Sequence, residues 1–277
     1  MNPDDAATRH TQLDSNSAYS PRQVAWKVES IGVSKARSNL LTVLVLAVLA
    51  GAFISLGAIL FTVVVTGSQL GFGVTRLLGG LSFSLGLVLV VVAGAELFTG
   101  NNLIAMAWAS GHVSSGELVR NWVIVYIGNV IGCLGTVALV YFAELSTLGE
   151  GSVGETAVNV ARSKVELSLT SAFARGILCN ALVCLAVWLA MAGRSVADKI
   201  LAVIFPITAF VALGLEHSIA NWFFLPYGYL LDSEGIVSVT GSIRNLVAVT
   251  FGNMVGGTLL VAAVYWLAYL RDGMPES

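Results

Sequence analysis

Two phrases set ionisable and amide side chains into otherwise apolar text: GAELFTGN at residues 94–101 and GLEHSIAN at residues 214–221. Both read Gly-x-Glu-x-x-x-x-Asn, so Gly94, Glu96 and Asn101 match Gly214, Glu216 and Asn221 at a constant offset of 120. A charge at the centre of a membrane helix costs about 2.5–3.5 kcal/mol on insertion scales. Glu96 and Glu216 must therefore be paired, protonated or bonded to backbone donors freed by a helix break. Because both copies carry them, together with Asn101 and Asn221, they read first as structural groups that hold such breaks. The alternative is a carboxylate in a permeation path, where it would repel an anion.

His217 breaks the symmetry, since the matching position is Leu97, and it is the only histidine inside an apolar segment. An imidazole at that depth can donate a hydrogen bond or a proton near neutral pH, and Thr99 offers a hydroxyl at the corresponding depth of the other copy. The neighbouring Phe83, Leu87, Leu97, Phe98 and Phe210 are ordinary packing or lipid-facing residues and do not by themselves identify a pore. Cys133, Cys179 and Cys184 lie in apolar text without a partnering His or carboxylate, a poor donor set for a metal and a normal use of small polarisable core residues. No metal set, cofactor motif or activated nucleophile is legible, so no catalytic residue, metal or cofactor is expected, and an enzyme is not.

The elements that must carry these groups are membrane helices. Soluble domains hold about 25% charged residues; this chain of 277 residues holds 11%, is 56% hydrophobic and has a mean hydropathy of +0.85. The net charge of −2 argues against nucleic acid as a partner. The N-terminal text MNPDDAATRHTQLDSNSAYSPRQ has no apolar core and does not read as a cleavable leader. Requiring about 20 apolar residues per span finds six segments: Leu40–Thr66, Leu77–Ser110, Asn121–Ala143, Ser171–Gly193, Ile200–Leu231 and Leu246–Leu270. The second and fifth exceed 30 residues, contain Gly79, Gly80, Gly86, Gly94 and Gly100 or Pro206, Gly214 and Pro226, and carry the polar phrases near their middles. Polar backbone at that depth has to line a cavity or be buried in protein, so both segments are read as broken helices.

The match continues beyond the breaks. NWVIVYIGN (121–129) aligns with NLVAVTFGN (245–253), Gly132 with Gly256, and Gly51 with Gly176 at a similar offset. A three-span unit is thus written twice. Three is odd, so the second copy enters from the opposite side; such inverted repeats place their site near the midplane, between paired broken helices. Arg9, Arg22, Lys27, Lys35, Arg37, Arg120, Arg194, Lys199 and Arg271 fall on one side, against Arg76, Arg162, Lys164, Arg175 and Arg244 on the other, which sets both termini in the cytoplasm. Ser20 and Pro21 open an amphipathic helix with Val24, Val28 and Ile31 at helical spacing. That helix is expected to lie on the cytoplasmic surface, as an anchor or as a gate.

In GGLSFSLGLVLVVVAGAELFT, NWVIVYIGNVIG, NALVCLAVWLAMAGRSVADK and LEHSIANWFFLPYG the chain resembles the formate/nitrite transporter family, and within it the bacterial formate channels. The resemblance runs from about Val28 to Asp272. It implies a homopentamer of aquaporin-like protomers in the inner membrane, each with its own pore for formate or a similar small monovalent anion, among membrane lipid. The implied organisation is a cytoplasmic segment 1–39, a first repeat 40–143, a periplasmic connector 144–170, a second repeat 171–270 and a cytoplasmic tail 271–277. Carried over by motif, Leu87, Leu97 and Phe98 form a cytoplasmic constriction, Phe83 and Phe210 a periplasmic one, Thr99, His217 and Asn180 line the substrate pathway, and Lys164 is a basic residue of the periplasmic vestibule. The expected mechanism has Lys164 attract the anion, Thr99 and His217 bind it, and His217 supply a proton so that the neutral acid crosses. Nitrite and hydrosulfide are alternatives within the family, and a proton-coupled secondary transporter is an alternative mechanism.

Overall fold

The computed structural model describes residues 17–271; the leader reading of the first residues, Arg9 in the charge count and tail residues 272–277 lie outside the described residues. Ser20 accepts the Gln23 N–H while the Gln23 side chain accepts the Ser20 N–H, and this capping box with Pro21 starts α1, Pro21–Arg37. Then come α2 (Leu40–Val65) and α3 (Phe72–Ala93). After a non-helical stretch follow α4 (Phe98–Asn101), a 3-10 turn and α5 (Ala105–Ala109). The second half holds α6 (Ser115–Phe142), α7 (Ser152–Val165), α8 (Leu169–Ala192), α9 (Val196–Ala212) and α10 (Ser218–Leu231). It ends with α11 (Val239–Val255), which runs through a π-helical stretch into α12 (Val264–Tyr269).

Five of these stretches are long and apolar enough to cross a membrane: α2, α3, α6, α8 and the continuous Val239–Tyr269. The segment expected at Ile200–Leu231 is divided into α9 of 17 residues and α10 of 14, each short of the roughly 20 a crossing needs. The apolar face of α1 does not meet lipid as expected: Val24, Ala25 and Val28 are buried with Leu103, Met106 and Trp188.

The same packing occurs in both halves. Helix α2 lies against α6 and α3, α8 lies against α11 and α9, and α3 packs on α9 between them. The α2–α6 and α8–α11 contacts are backbone-close. A Cβ at Gly132 would sit 2.0 Å from the Val48 carbonyl oxygen, and one at Gly256 2.1 Å from that of Ile177. Val48 and Ile177 are 129 apart, whereas Gly51 and Gly176 are 125 apart, so that expected pairing is one helical turn out of register. A four-residue slip keeps the same helix face, which is why spacing alone misplaced it.

Both breaks are built alike. α3 stops at Gly94 (φ 82°), where the Ala95 N–H reaches back to the Val90 carbonyl at 2.9 Å; α9 stops before Gly214 (φ 70°), where the Leu215 N–H reaches Phe210 at 3.0 Å. The left-handed turn that closes each helix favours glycine. The chain then runs extended to Leu97 and His217 before α4 and α10 begin. One asparagine braces each gap. Asn129 accepts the Phe98 N–H at 2.9 Å and donates to the carbonyls of Ala47 (2.8 Å) and Glu96 (2.9 Å). Asn253 accepts the Ser218 N–H at 2.8 Å and donates to Gly176 (2.8 Å) and Glu216 (2.9 Å).

Gly132→Ala and Gly256→Ala should each destabilise by about 1–3 kcal/mol, read as a lowered Tm in detergent, because backbone stands where the methyl would go. Gly135→Ala, with nothing within 4 Å of its Cβ position, should leave Tm unchanged; a fall as large as that of Gly132→Ala would refute the close-packing account. Asn129→Leu and Asn253→Leu each strip partners from three buried backbone groups at about 1–3 kcal/mol apiece, and should cost more than either alanine.

Candidate functional site

At each break a lysine, a glutamate and two asparagines close a ring. Lys35 of α1 donates to Glu96 (3.1 Å) and to Asn101 Oδ1 (2.9 Å). Asn101 Nδ2 donates to Glu96 (2.6 Å) and to Asn121 Oδ1 (3.0 Å), and Asn121 Nδ2 returns to the Lys35 carbonyl (3.1 Å). In the other half Lys164 of α7 donates to Glu216 (2.9 Å). Asn221 Nδ2 donates to Glu216 (2.7 Å) and Asn245 Oδ1 (2.8 Å), and Asn245 Nδ2 returns to the Lys164 carbonyl (3.0 Å). Of the three options open to the glutamates, the structure shows pairing. Lys164, expected as a basic residue of the vestibule, lines the larger of two cavities but is buried with its charge paired to the Glu216 carboxylate.

His217 and Thr99 meet between the breaks. Thr99 Oγ1 lies 3.0 Å from His217 Nε2, and both side chains are buried. His217 is also the N-cap of α10, its Nδ1 accepting the Ala220 N–H at 3.1 Å. An acceptor Nδ1 carries no hydrogen, so the neutral imidazole here bears its proton on Nε2 and donates to Thr99. The Phe210 ring stacks on His217 (5.9 Å, 19°) and takes Phe83 edge-on (5.6 Å).

Two cavities approach this pair and share no lining residue. One, of about 210 Å³, is lined by Lys35, Leu87, Glu96, Leu97 and Asn101; the other, of about 400 Å³, by Phe83, Lys164, Phe210, Glu216 and His217. Phe83 and Leu87 are one turn apart on α3, so that helix faces both cavities, and the matched residues Leu97 and His217 fall one in each. Thr99 lies in neither lining. Phe98 is in neither cavity lining, and its ring packs edge-on against Tyr126 (5.0 Å) and Trp122 (6.5 Å) of α6. Asn180 lines neither cavity; its Nδ2 donates to the carbonyls of Thr99 (3.2 Å) and Asn253 (2.7 Å) and to Asn102 Oδ1 (2.7 Å), holding Thr99 from behind.

Sequence reasoning missed Lys35, Asn121, Asn129, Asn245 and Asn253 as site members. The asparagines were visible in NWVIVYIGN and NLVAVTFGN, whereas Lys35 was hidden among the charges of an amphipathic helix. It also missed Arg76 and Arg175, which line the larger cavity.

The family described as formate/nitrite transporter matches residues 22–267. The chain is 40% identical over 270 residues to the formate channel FocA of Escherichia coli (strain K12), covering 91% of this chain and 95% of that protein. A solved structure described as a pentameric formate channel with formate bound is 40% identical with a TM-score of 0.77, over 84% of this chain and 98% of that one. A solved FNT family ion channel is 31% identical with a TM-score of 0.82, over 88% and 98%. A family match over most of its length and relatives at 40% identity across nearly their whole chains show that this chain belongs to the formate/nitrite transporter family.

Proposed function

We propose that the chain is a formate channel whose path runs from one cavity to the other past Thr99 and His217. The observation that carries the reading is the 3.0 Å Thr99–His217 contact, formed by one residue from each break at the junction of two otherwise separate cavities. The proposed frame is six spans in inverted 3+3 order, with α3–α5 and α9–α10 as the broken pair. Both termini lie on the cytoplasmic side of the inner membrane, as the Lys/Arg distribution favours. The pentamer described for the solved relative is proposed for this chain too, covering part of the exposed apolar surface of its helices.

Two costs compete in the narrow region between the cavities. Stripping water from an anion costs several kcal/mol even after relaxation. Protonating a carboxylic acid of pKa roughly 4 costs about 1.4 kcal/mol at pH 5 and about 4 kcal/mol at pH 7. The neutral acid is the cheaper passenger at low pH, and the two routes are comparable near neutrality. The geometry supports His217 as a fixed hydrogen-bond donor more than as a proton store. Its Nε2–H points at Thr99, whose hydroxyl can pass its own hydrogen to the passenger, and a second proton on Nδ1 would require the α10 cap to open. The proton then comes with the substrate from solution.

Flux into proteoliposomes across pH 5 to 8 should be larger for formate than for nitrite or hydrosulfide, and should rise as pH falls. His217→Asn keeps an N-cap and a donor and should retain that rise. His217→Leu should lose about tenfold in flux, the worth of one hydrogen bond of roughly 1.5 kcal/mol. Absence of formate flux would sink the reading; a His217→Asn protein whose flux no longer varies with pH would return the proton to the imidazole.

A further inference from the structure

The two cavities differ in charge. In the smaller one Lys35 and Glu96 cancel. In the larger one Lys164 and Glu216 cancel, and His217 Nδ1 accepts a backbone N–H and so carries no second proton, leaving Arg76 and Arg175 as two further cations. The two guanidiniums converge on the end of α9. Arg76 donates Nε to the Ala212 carbonyl (3.0 Å) and Nη2 to that of Val211 (2.5 Å), and Arg175 donates Nη1 to Gly214 (3.3 Å). A Cβ at Gly214 would lie 3.0 Å from Arg76 Nη2 and 4.0 Å from Arg175 Nη1. No ion pair among the described residues involves either arginine.

The helix-terminal carbonyls explain how two like charges tolerate each other, but the frame does not need them. At the offsets of 120 and 129 the matching positions are Val196 and Leu46, and the other break closes without any arginine. Each guanidinium has five N–H donors; the carbonyls occupy two on Arg76 and one on Arg175, and the rest remain for the cavity. A guanidinium edge matches the two oxygens of a bent, planar anion, which a single-atom anion or a lysine cannot reproduce.

We propose that Arg76 and Arg175 form an anion-binding subsite in the larger cavity that takes planar two-oxygen anions, carboxylate or nitrite, ahead of the Thr99–His217 pair and in preference to hydrosulfide. This rests on the channel reading, and assigns its affinity and selectivity from one face to residues other than Lys164.

The test is saturable uptake of formate and of hydrosulfide into intact spheroplasts and into inverted vesicles, at low and high salt, for the wild type, Arg175→Gln and Arg175→Lys. Arg175→Gln should raise the apparent KM for formate about tenfold, the scale of electrostatic focusing in a charged cleft, from one face only. Maximal flux should fall far less than affinity, and the salt dependence should flatten. Arg175→Lys should keep the salt dependence and lose the preference for formate over hydrosulfide. Arg76→Lys is expected to shift selectivity in the same direction. Unchanged KM and selectivity in Arg175→Gln, in a preparation whose wild type passes formate, would overturn the subsite. So would a loss equal from both faces with a lowered Tm, which marks a structural role. A wild type that passes nitrite but not formate would overturn the formate reading, and nitrite would then report on the subsite in the same way.

Discussion

An interrupted helix inside a membrane has nowhere to put its free N–H and C=O groups, because lipid offers no hydrogen bonds. The features that the two halves share follow from meeting that constraint twice. A single carboxamide at Asn129, and another at Asn253, does most of it: the oxygen takes the first N–H of the new helix while the nitrogen ties the extended stretch to a neighbouring span. A carboxamide offers two donor hydrogens and an acceptor oxygen on opposite arms without bringing a charge. The close α2–α6 and α8–α11 contacts at Gly132 and Gly256 bring these asparagines within reach of both partners.

The glutamates extend the same logic at higher stakes. A buried ion pair recovers its desolvation cost only with further hydrogen bonds to its charged groups, and the ring asparagines supply them to each glutamate. Lys35 and Lys164 come from α1 and α7, helices outside the apolar spans, which can bring an ammonium to the break without carrying it through the bilayer. The segment expected to be a surface anchor and the loop expected to be a plain connector are thus matching structural parts. Each closes one break, and each has its apolar side against protein.

How far the sequence could be read depended on whether offsets stayed constant. The Glu and Asn of each break share one offset and announced themselves, as did the Gly-Asn pairs of α6 and α11. The lysines stand at an offset of 129 because the helices and turns between each lysine and its break differ by nine residues, most of them in the shorter α8 and α9, so they fall outside a repeat of about 120. For Phe98, Asn180 and Lys164, motif matching could name the residue but not the direction of its side chain. Phe98 turned to Tyr126, Asn180 to the Thr99 carbonyl and Lys164 to Glu216. Side-chain direction is decided by local backbone and by which partner is within reach, and a string of residue types holds neither.

The residues left over once the two-fold pattern is subtracted are few, and they coincide with the chemistry. Rings, braces and glycine contacts occur in both halves and account for the frame. His217 against Leu97, Thr99 against Ile219, and Arg76 and Arg175 against Val196 and Leu46 occur in one half only. A frame that folds the same way at both breaks has no structural use for these differences, whereas a path with two unlike ends does. The larger cavity carries uncompensated positive charge and ends on an imidazole; the smaller is neutral and ends on a leucine. On the proposed path an anion arriving from one face meets attraction and then a donor, while one arriving from the other meets a paired charge and then a leucine. On that path symmetry belongs to stability and asymmetry to transport.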